Sequence, residues 1–480
     1  MPNDTQDSDH YRNTKIICTI GPATNSSTMI EKLIMAGMDV ARLNFSHGDH
    51  ETHRNVIKHI HAASAKLGKQ VGILQDLSGP KIRLGKLNSP SISLAHNQKV
   101  VLSYGEIQTG GEIPVNYPHI AEDVAVGARI LLADGLVELS VTGVEKEKVF
   151  CVVQNAGIIS SHKGVNMPLA NLRIPAFTDK DRADLEFGLN EGVDFVAMSF
   201  VRNADDLKPV REAINSRETK PLLFAKIEKP EAIEKLDEIL SFVDGIMVAR
   251  GDLGVEMSLE QLPMVQKRII SAARRMAKPV ITATQMLRSM IDNPRPTRAE
   301  ATDTANAILD GTSALMLSEE TATGDYPVEA VAVLDRISRI TERHIDFLRL
   351  MEEPDSPSLA PVESAITRGA VIMAQTLDAA CIAVITSTGS SASLVGRFRP
   401  NVPIVGITCD ERTVRKMSIF WGVIPILETE KKNLGGLADK AIEFIKKHNL
   451  AKPGDRVILT SGYPPLCCGN TDMIKAITVP

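Results

Sequence analysis

Two stretches of this chain bring a lysine and two carboxylates into one neighbourhood. In Phe224-Ala-Lys-Ile-Glu228, strand alternation sets Lys226 and Glu228 on one face of a strand end. In Met247-Val-Ala-Arg-Gly-Asp-Leu-Gly254, Asp252 follows the next strand. Two carboxylates from adjacent strands suit Mg²⁺, which keeps several waters and takes one or two protein carboxylates plus substrate oxygens. A lysine beside such a metal can neutralise charge moving between phosphoryl and enolate oxygens. The same three residues would also serve as an ion pair sealing the end of a barrel. Gly251 and a helix start favour the chemical reading, because exposed amides at a helix N-terminus bind anions such as carboxylate.

Other polar residues follow apolar runs in the same way. Arg42, Asn44 and Ser46 alternate onto one face, with His47 next in line. Arg suits a pair of phosphate oxygens, and Asn and Ser offer neutral oxygens to a cation; an ordinary polar loop is the alternative. Asp76 ends another run, Ser199 and Arg202 a further one, and Glu320 the last. Thr282 and Thr284 flank Ala283, and a hydroxyl there could orient a water or relay a proton. No histidine shows metal-ligand spacing. Near the C-terminus, Thr386, Ser387, Thr388, Gly389, Ser390 and Ser391 lie between a strand and a helix. Hydroxyls, a glycine and helix N-terminal amides are the ingredients of a phosphate nest, though a plain Ser/Thr-rich loop has the same composition.

The elements that must position these groups are legible. Eight short apolar segments, Lys15–Ile20, Asp39–Phe45, Gln70–Asp76, Val193–Phe200, Pro221–Glu228, Val243–Arg250, Pro279–Thr284 and Ser313–Ser318, read as buried parallel strands. Most intervals between them hold a helical pattern, the sequence form of a (β/α)8 TIM barrel with its site at the strands' C-terminal ends. The third interval, from residue 70 to 193, is far longer than the others. It holds a β-rich insert with strands expected at Lys99–Ser103, Arg129–Ala133, Leu136–Val141 and Val149–Val153, and a hairpin turn at Asp134-Gly135. An insert leaving a barrel there is placed to act as a lid. Thr178 to Asp181 and Thr297 to Glu300 read as capping boxes opening barrel helices. The expected domains are a flexible tail over 1–13, the barrel over 14–80 and 175–350, a β-barrel-like lid over 81–174, a Pro/Ser/acid-rich linker over 351–361, and an open doubly wound α/β domain over 362–480.

The 480 residues are 43% hydrophobic and 24% charged, as in a soluble enzyme. Net charge is -5 and aromatics are 4%, which argues against a nucleic-acid partner. No apolar run spans a bilayer and Met1–Asn13 carries no signal-peptide core, so a cytoplasmic protein without a membrane partner is expected. The six cysteines show no zinc spacing; the vicinal Cys467-Cys468 is redox-active or, as ordinary packing thiols in a reducing cytosol, inert.

With these residues in view, the chain resembles the pyruvate kinase family, of the bacterial kind without a long N-terminal extension. The matching motifs are TIGPA (19–23), ARLNFSHG (41–48), DLSGPKIR (76–83), KIEKPEA (226–232), IMVARGDLG (246–254), ATQML (283–287), PTRAE (296–300) and ETATGDYP (320–327). They cover the barrel from end to end, and the resemblance weakens in the insert and the C-terminal domain.

The resemblance implies phosphoryl transfer from phosphoenolpyruvate to ADP, giving pyruvate and ATP. It implies Glu228 and Asp252 as Mg²⁺ ligands, and Lys226 against the phosphoryl and the enolate oxygen. Arg42 would hold phosphoryl oxygens, amides around Gly251 and Asp252 the substrate carboxylate, and Thr284 would belong to the proton-donating network. Arg83, Lys163, Asn44 and His47 would face the nucleotide. Asn44, Ser46, Asp76 and the Leu77 carbonyl fall where many relatives bind K⁺. Relatives that need K⁺ carry Glu at Lys81 and typically Thr at Leu77 and Leu84; those that dispense with it carry the Lys and Leu seen here, so K⁺ is expected not to be required. The C-terminal domain would bind a phosphorylated effector, a monophosphate by preference, at Thr386–Ser391 with help from Arg397 and Arg399. Relatives are homotetramers. One departure is Glu319, where many relatives have Gly. A catalytically silent sugar-phosphate sensor is the alternative, and such a protein would be expected to have lost Lys226, Glu228 or Asp252.

Overall fold

The computed structural model describes residues 11–168, 170, 172–429, 433–466 and 471–480. Cys467 and Cys468 lie outside them. Among the described residues no helix is long and apolar enough to cross a membrane.

Eight parallel strands close into a barrel in chain order: Lys15–Thr19, Val40–Asn44, Gly72–Asp76, Phe195–Met198, Leu222–Ile227, Gly245–Ala249, Val280–Ala283 and Ala314–Leu317. Each is shorter than its apolar segment, because the polar residues closing the segment turn out of the ladder. Alternate residues face in and out. Ile16, Cys18, Ile73 and Val196 pack against the surrounding helices, while Ile17, Leu74, Phe195, Phe224, Met247 and Ile281 fill the lumen. The helices begin where the sequence marks them: Thr178 with Asp181, and Thr297 with Glu300, form reciprocal capping boxes.

The lumen core does not stop at the barrel floor. The same apolar cluster continues through Ile382, Val384, Val395, Phe398, Met417, Phe420 and Ile458 of the C-terminal domain. That domain is a five-stranded sheet in the order 423–427, 404–408, 381–385, 456–461, 473–478, the last strand antiparallel. Polar ties surround the apolar contact. Lys15 Nζ donates to the Val423 carbonyl at 2.8 Å, the Gly422 amide to the Asn13 carbonyl at 2.9 Å, and Arg415 pairs with Asp194 at 2.9 Å. Gly72 is required here, since a Cβ on it would stand 2.5 Å from the Phe195 ring and 2.7 Å from Ser418 Oγ.

The insert forms a six-stranded sheet (99–104, 113–115, 129–132, 137–145, 148–153, 165–166) and a separate two-stranded one (91–94 with 157–160). Ala133, Asp134 and Gly135 make the expected hairpin turn, all with positive φ. Four strands beyond the expected four thus appear, and two sheets rather than a barrel-like closure.

Two boundaries differ from the sequence reading. Residues 11–13 do not belong to a loose tail: buried Arg12 pairs with Asp335 and Asp39, each at 2.8 Å, and Asn13 bonds Glu342. The linker is pinned, because Asp355 meets Arg368 at 2.5 Å and Arg397 at 3.0 Å.

The Asp194–Arg415 tie yields a pH-dependent expectation. Burial raises the Asp194 carboxyl to about 6, against the lowering effect of Arg415. It therefore subtracts stability as the pH rises from about 4, where the unfolded carboxyl ionises, to the folded value. Below the folded value Asp194 is neutral and needs no cation; above it the anion depends on Arg415. Arg415→Ala should cost about 3 kcal/mol at pH 8 and clearly less at pH 5, read from urea unfolding at each pH. Equal costs at the two values would remove this pair as the tie.

Candidate active site

The C-terminal ends of the strands converge under the lid. Lys226, at the end of the fifth strand, sends its ammonium to Glu228 Oε1 at 2.8 Å, Asp76 Oδ1 at 3.3 Å and Ser199 Oγ at 2.7 Å. Burial alone would depress this amine; Asp76, Glu228 and Asp252 outweigh it and hold the pKa above the ordinary lysine value. The group is therefore a permanent cation at neutral pH. Glu228 is 1% exposed. Burial and the nearby Asp252 push its carboxyl up, more than the Lys226 ammonium draws it down. Its Oε2 accepts the Phe200 amide at 2.7 Å.

Asp76 closes the third strand and faces two cations. Arg42 grips its Oδ2 through Nε at 2.8 Å and Nη2 at 2.6 Å, and donates from Nη1 to Thr19 Oγ1 at 2.9 Å. Burial would raise the Asp76 carboxyl; Lys226 and Arg42 reverse this and hold it below the ordinary carboxylate range. Asn44 and Ser46 are half-buried beside this pair in the chain, and the Asn44 Oδ1 accepts the Ser46 amide at 3.1 Å. His47 is exposed. The Leu77 carbonyl accepts the Ser199 hydroxyl at 2.7 Å.

On the far side, helix Arg250–Glu256 begins directly at the sixth strand. Its first residue anchors the loop after the seventh strand. Arg250 pairs with Asp303 at 2.6 Å and donates to the carbonyls of Thr284 at 2.8 Å and Ala283 at 3.3 Å. Thr284 and Gln285 have positive φ, a conformation costly for a β-branched residue. The bend brings Thr284 Oγ1 to the Gly251 amide at 2.7 Å. Thr282 is not at the mouth; it is fully buried and bonds Thr312 inside the wall at 2.9 Å. Glu320 is structural as well, accepting the Leu287 and Ser318 amides, and Glu319 points to solvent.

The insert and the barrel together line an open cleft of about 360 Å³, with Lys81, Asn166, Phe200, Asp252 and Glu256 in its wall. Asn166 of the lid donates to Glu256 Oε1 at 2.9 Å, and Lys229 meets the same oxygen at 2.8 Å. Arg83 spans the lid junction, donating to the His162 carbonyl at 3.1 Å. Lys163 and Lys81 are exposed, with Lys81 Cε beside Gly164. Glu228 and Asp252 are the acidic pair available to a hard cation. Among the described residues no group of three or more His, Cys, Asp or Glu could hold a metal by itself.

In the C-terminal domain, Thr386 Oγ1 accepts the Gly389 amide at 2.9 Å, and Ser391 Oγ meets Thr471 Oγ1 at 2.5 Å. The loop borders a cavity of only about 20 Å³ that Glu363 also lines. Arg397 and Arg399 do not help it. Both are buried towards the barrel, Arg397 on Asp355 and Ser364, Arg399 on the Gly311 carbonyl at 2.5 Å and the Trp421 ring at 5.0 Å.

Sequence reasoning assigned no role to Ser199, Arg250 or Glu256. Ser199 stood among the strand-end residues, and Glu256 lies one helical turn beyond Asp252; their partners are distant in the chain.

Comparison with known proteins agrees with this geometry. Residues 11–331 match the family described as pyruvate kinase, barrel domain, and residues 364–477 the one described as pyruvate kinase, alpha/beta domain. A pyruvate kinase of Geobacillus stearothermophilus is 43% identical over 468 residues, spanning 97% of this chain and 80% of that one. One of Dictyostelium discoideum is 43% identical over 477 residues, spanning 97% and 94%. The crystal structure of a pyruvate kinase from Cryptosporidium parvum superposes with a TM-score of 0.93 at 37% identity, covering 98% of this chain and 96% of that one. Fold and site define a barrel phosphotransferase. The chain belongs to the pyruvate kinase family.

Proposed function

We propose that this chain transfers the phosphoryl group of phosphoenolpyruvate to ADP, giving pyruvate and ATP. The observation that carries the reading is the buried cation Lys226, held between Asp76 and Glu228 at the barrel mouth, one strand from the Gly251 amide. Lys226 faces the phosphoryl and the enolate oxygen as charge moves between them. Arg42, fixed by Asp76, holds phosphoryl oxygens through its remaining donor capacity. The amides at Gly251 and Asp252 receive the substrate carboxylate. Thr284, already hydrogen-bonded to the Gly251 amide, lies at the carbon end of such a substrate and belongs to its proton-donating network. Arg83 and Lys163 on the lid side, and Asn44 and His47 beyond the second strand, face the nucleotide.

Glu228 and Asp252 are the residues that would hold Mg²⁺. Glu228 Oε1 is a buried carboxylate oxygen without a hydrogen bond, ion-paired with the Lys226 ammonium at 2.8 Å. That donor set, two carboxylates and no cage, fits a metal that completes its shell with water and substrate oxygens. When bound, Mg²⁺ would supply charge neutralisation for the phosphoryl and carboxylate oxygens. Phosphorylated effectors would bind the Thr386–Ser391 loop; its hydroxyls and amides support that, and Ser391→Glu should abolish activation while sparing basal rate. Unchanged activation would move the site elsewhere.

Catalysis is proposed to run without K⁺. Three of the oxygens that would ligate it already accept hydrogen bonds within the protein: Asn44 Oδ1 from the Ser46 amide, the Leu77 carbonyl from Ser199, and Asp76 Oδ2 from Arg42, while Asp76 Oδ1 faces the Lys226 ammonium at 3.3 Å. The ammonium of Lys81, at the hinge into the lid, supplies positive charge covalently.

Three measurements test the reading. In a coupled assay for pyruvate, Lys226→Met should lower kcat by about 10² to 10³ with a much smaller change in apparent affinity for phosphoenolpyruvate; near-normal turnover would exclude the assigned role. Asp252→Asn should raise the Mg²⁺ concentration needed for half-maximal rate, and an unchanged requirement would take Asp252 out of the metal site. In tetramethylammonium buffer at constant ionic strength, adding KCl should leave the wild-type rate nearly unchanged, whereas Lys81→Glu should create a K⁺ requirement. A wild-type rise of about tenfold or more would exceed any general screening effect and sink the idea.

A further inference from the structure

The end of the fourth strand carries a serine that none of these roles uses. Ser199 is 2% exposed. Its hydroxyl proton goes to the Leu77 carbonyl at 2.7 Å, which leaves an oxygen lone pair directed at Lys226 Nζ, also at 2.7 Å. A serine needed only to satisfy the core would be complete with the first bond. The ammonium donates a hydrogen bond to Ser199 Oγ and has Glu228 Oε1 and Asp76 Oδ1 as ion-pair partners at 2.8 and 3.3 Å. The two ion-pair partners are anions, which hold the cation but also offset the charge it must present to a phosphoryl group. Ser199 alone is neutral.

The corner around it is built rigidly. Phe200 adopts a φ of 56°, a left-handed conformation that a bulky residue keeps only when its surroundings enforce it. The bend turns the Phe200 amide onto Glu228 Oε2 at 2.7 Å. Adjacent residues thus orient the lysine and the carboxylate of the same strand end. Gly79 packs against both: a Cβ there would stand 2.8 Å from the Phe200 ring and 3.0 Å from Ser199 Cβ. The hydroxyl therefore has little room to drift.

We propose that Ser199 is a positioning residue for Lys226: its hydroxyl, oriented by the Leu77 carbonyl, fixes the direction of the ammonium without reducing its charge. This rests on the role given to Lys226 above. A displaced cation would still bind substrate anions at long range but would miss the oxygen on which charge develops, so the loss belongs to turnover rather than affinity.

The test is a double-mutant cycle on the full chain, measuring kcat and KM for phosphoenolpyruvate in wild type, Ser199→Ala, Lys226→Met and the double variant. Ser199→Ala should lower kcat by about 10- to 100-fold with KM changed by less than about threefold. In the Lys226→Met background the same substitution should change kcat by less than about twofold, because the group it positions is gone. A structural serine would give the same factor in both backgrounds, and that result overturns the proposal, as does an unchanged kcat in Ser199→Ala. Ser199→Cys keeps the size and offers a weak acceptor; it should fall between wild type and Ser199→Ala, and wild-type turnover in it would also overturn the role. Near-normal turnover in Lys226→Met alone would instead refute the reading of the lysine, and is seen without reference to Ser199.

Discussion

A buried cation that must stay charged is the constraint on which this molecule turns. The Lys226 ammonium sits in a barrel mouth where burial favours its neutral form, and only the carboxylates of Asp76, Glu228 and Asp252 keep it protonated. Each carboxylate then needs its own support. Asp76 is gripped by Arg42, Arg42 by Thr19, and Glu228 by the Phe200 amide. One charge thus recruits residues from the first to the sixth strand, the arrangement a closed barrel makes possible by bringing all strand ends to one rim.

The strands that carry these residues also reach the opposite face. The fourth begins after Asp194, which meets Arg415 of the C-terminal domain, and ends at Ser199, which meets Lys226. The third begins at Gly72, close-packed under Ser418, and ends at Asp76. Only a few residues of extended chain separate the floor from the chemistry. On the upper side, the insert meets the helix Arg250–Glu256 through Asn166 and Glu256. The mouth is therefore bordered by the barrel and the insert, while the C-terminal domain holds the floor beneath it.

The barrel was legible because buried parallel strands are near-continuous apolar runs, and the parallel strands Cys381–Ile385 and Ile404–Thr408 of the C-terminal sheet read the same way. Helix starts at Thr178 and Thr297 were legible for a local reason, a capping box within four residues. The misses share a different physics. Val165–Asn166 and Ile113–Val115 are too short to show a period, and the edge strand Met473–Thr478 is half exposed. Arg12 looked like tail because its partners, Asp39 and Asp335, are remote in sequence. Arg397 and Arg399 looked like anion ligands, but the C-terminal domain turns them to the barrel. At the site, Lys226, Glu228 and Asp252 were readable from type and spacing. Ser199 was visible only as a strand end, since its importance lies in two bonds to other strands. Thr282 differs from Thr284 by one pleat, and the positive φ at Thr284 decides which hydroxyl reaches the mouth.

The apolar cluster that passes from the lumen into the C-terminal domain sets an order of events during synthesis. Phe195, Phe224, Met247 and Ile281 line a lumen whose floor is supplied by residues such as Val395, Phe420 and Ile458. A nascent chain that has just completed its eighth strand at Leu317 still exposes that floor. The barrel can close its ladder then, but it cannot finish dehydrating its centre until the last third of the polypeptide has left the ribosome. Maturation of the barrel is thereby tied to arrival of the C-terminal domain, and a polypeptide broken off between them would carry an open apolar socket that invites association with another like it.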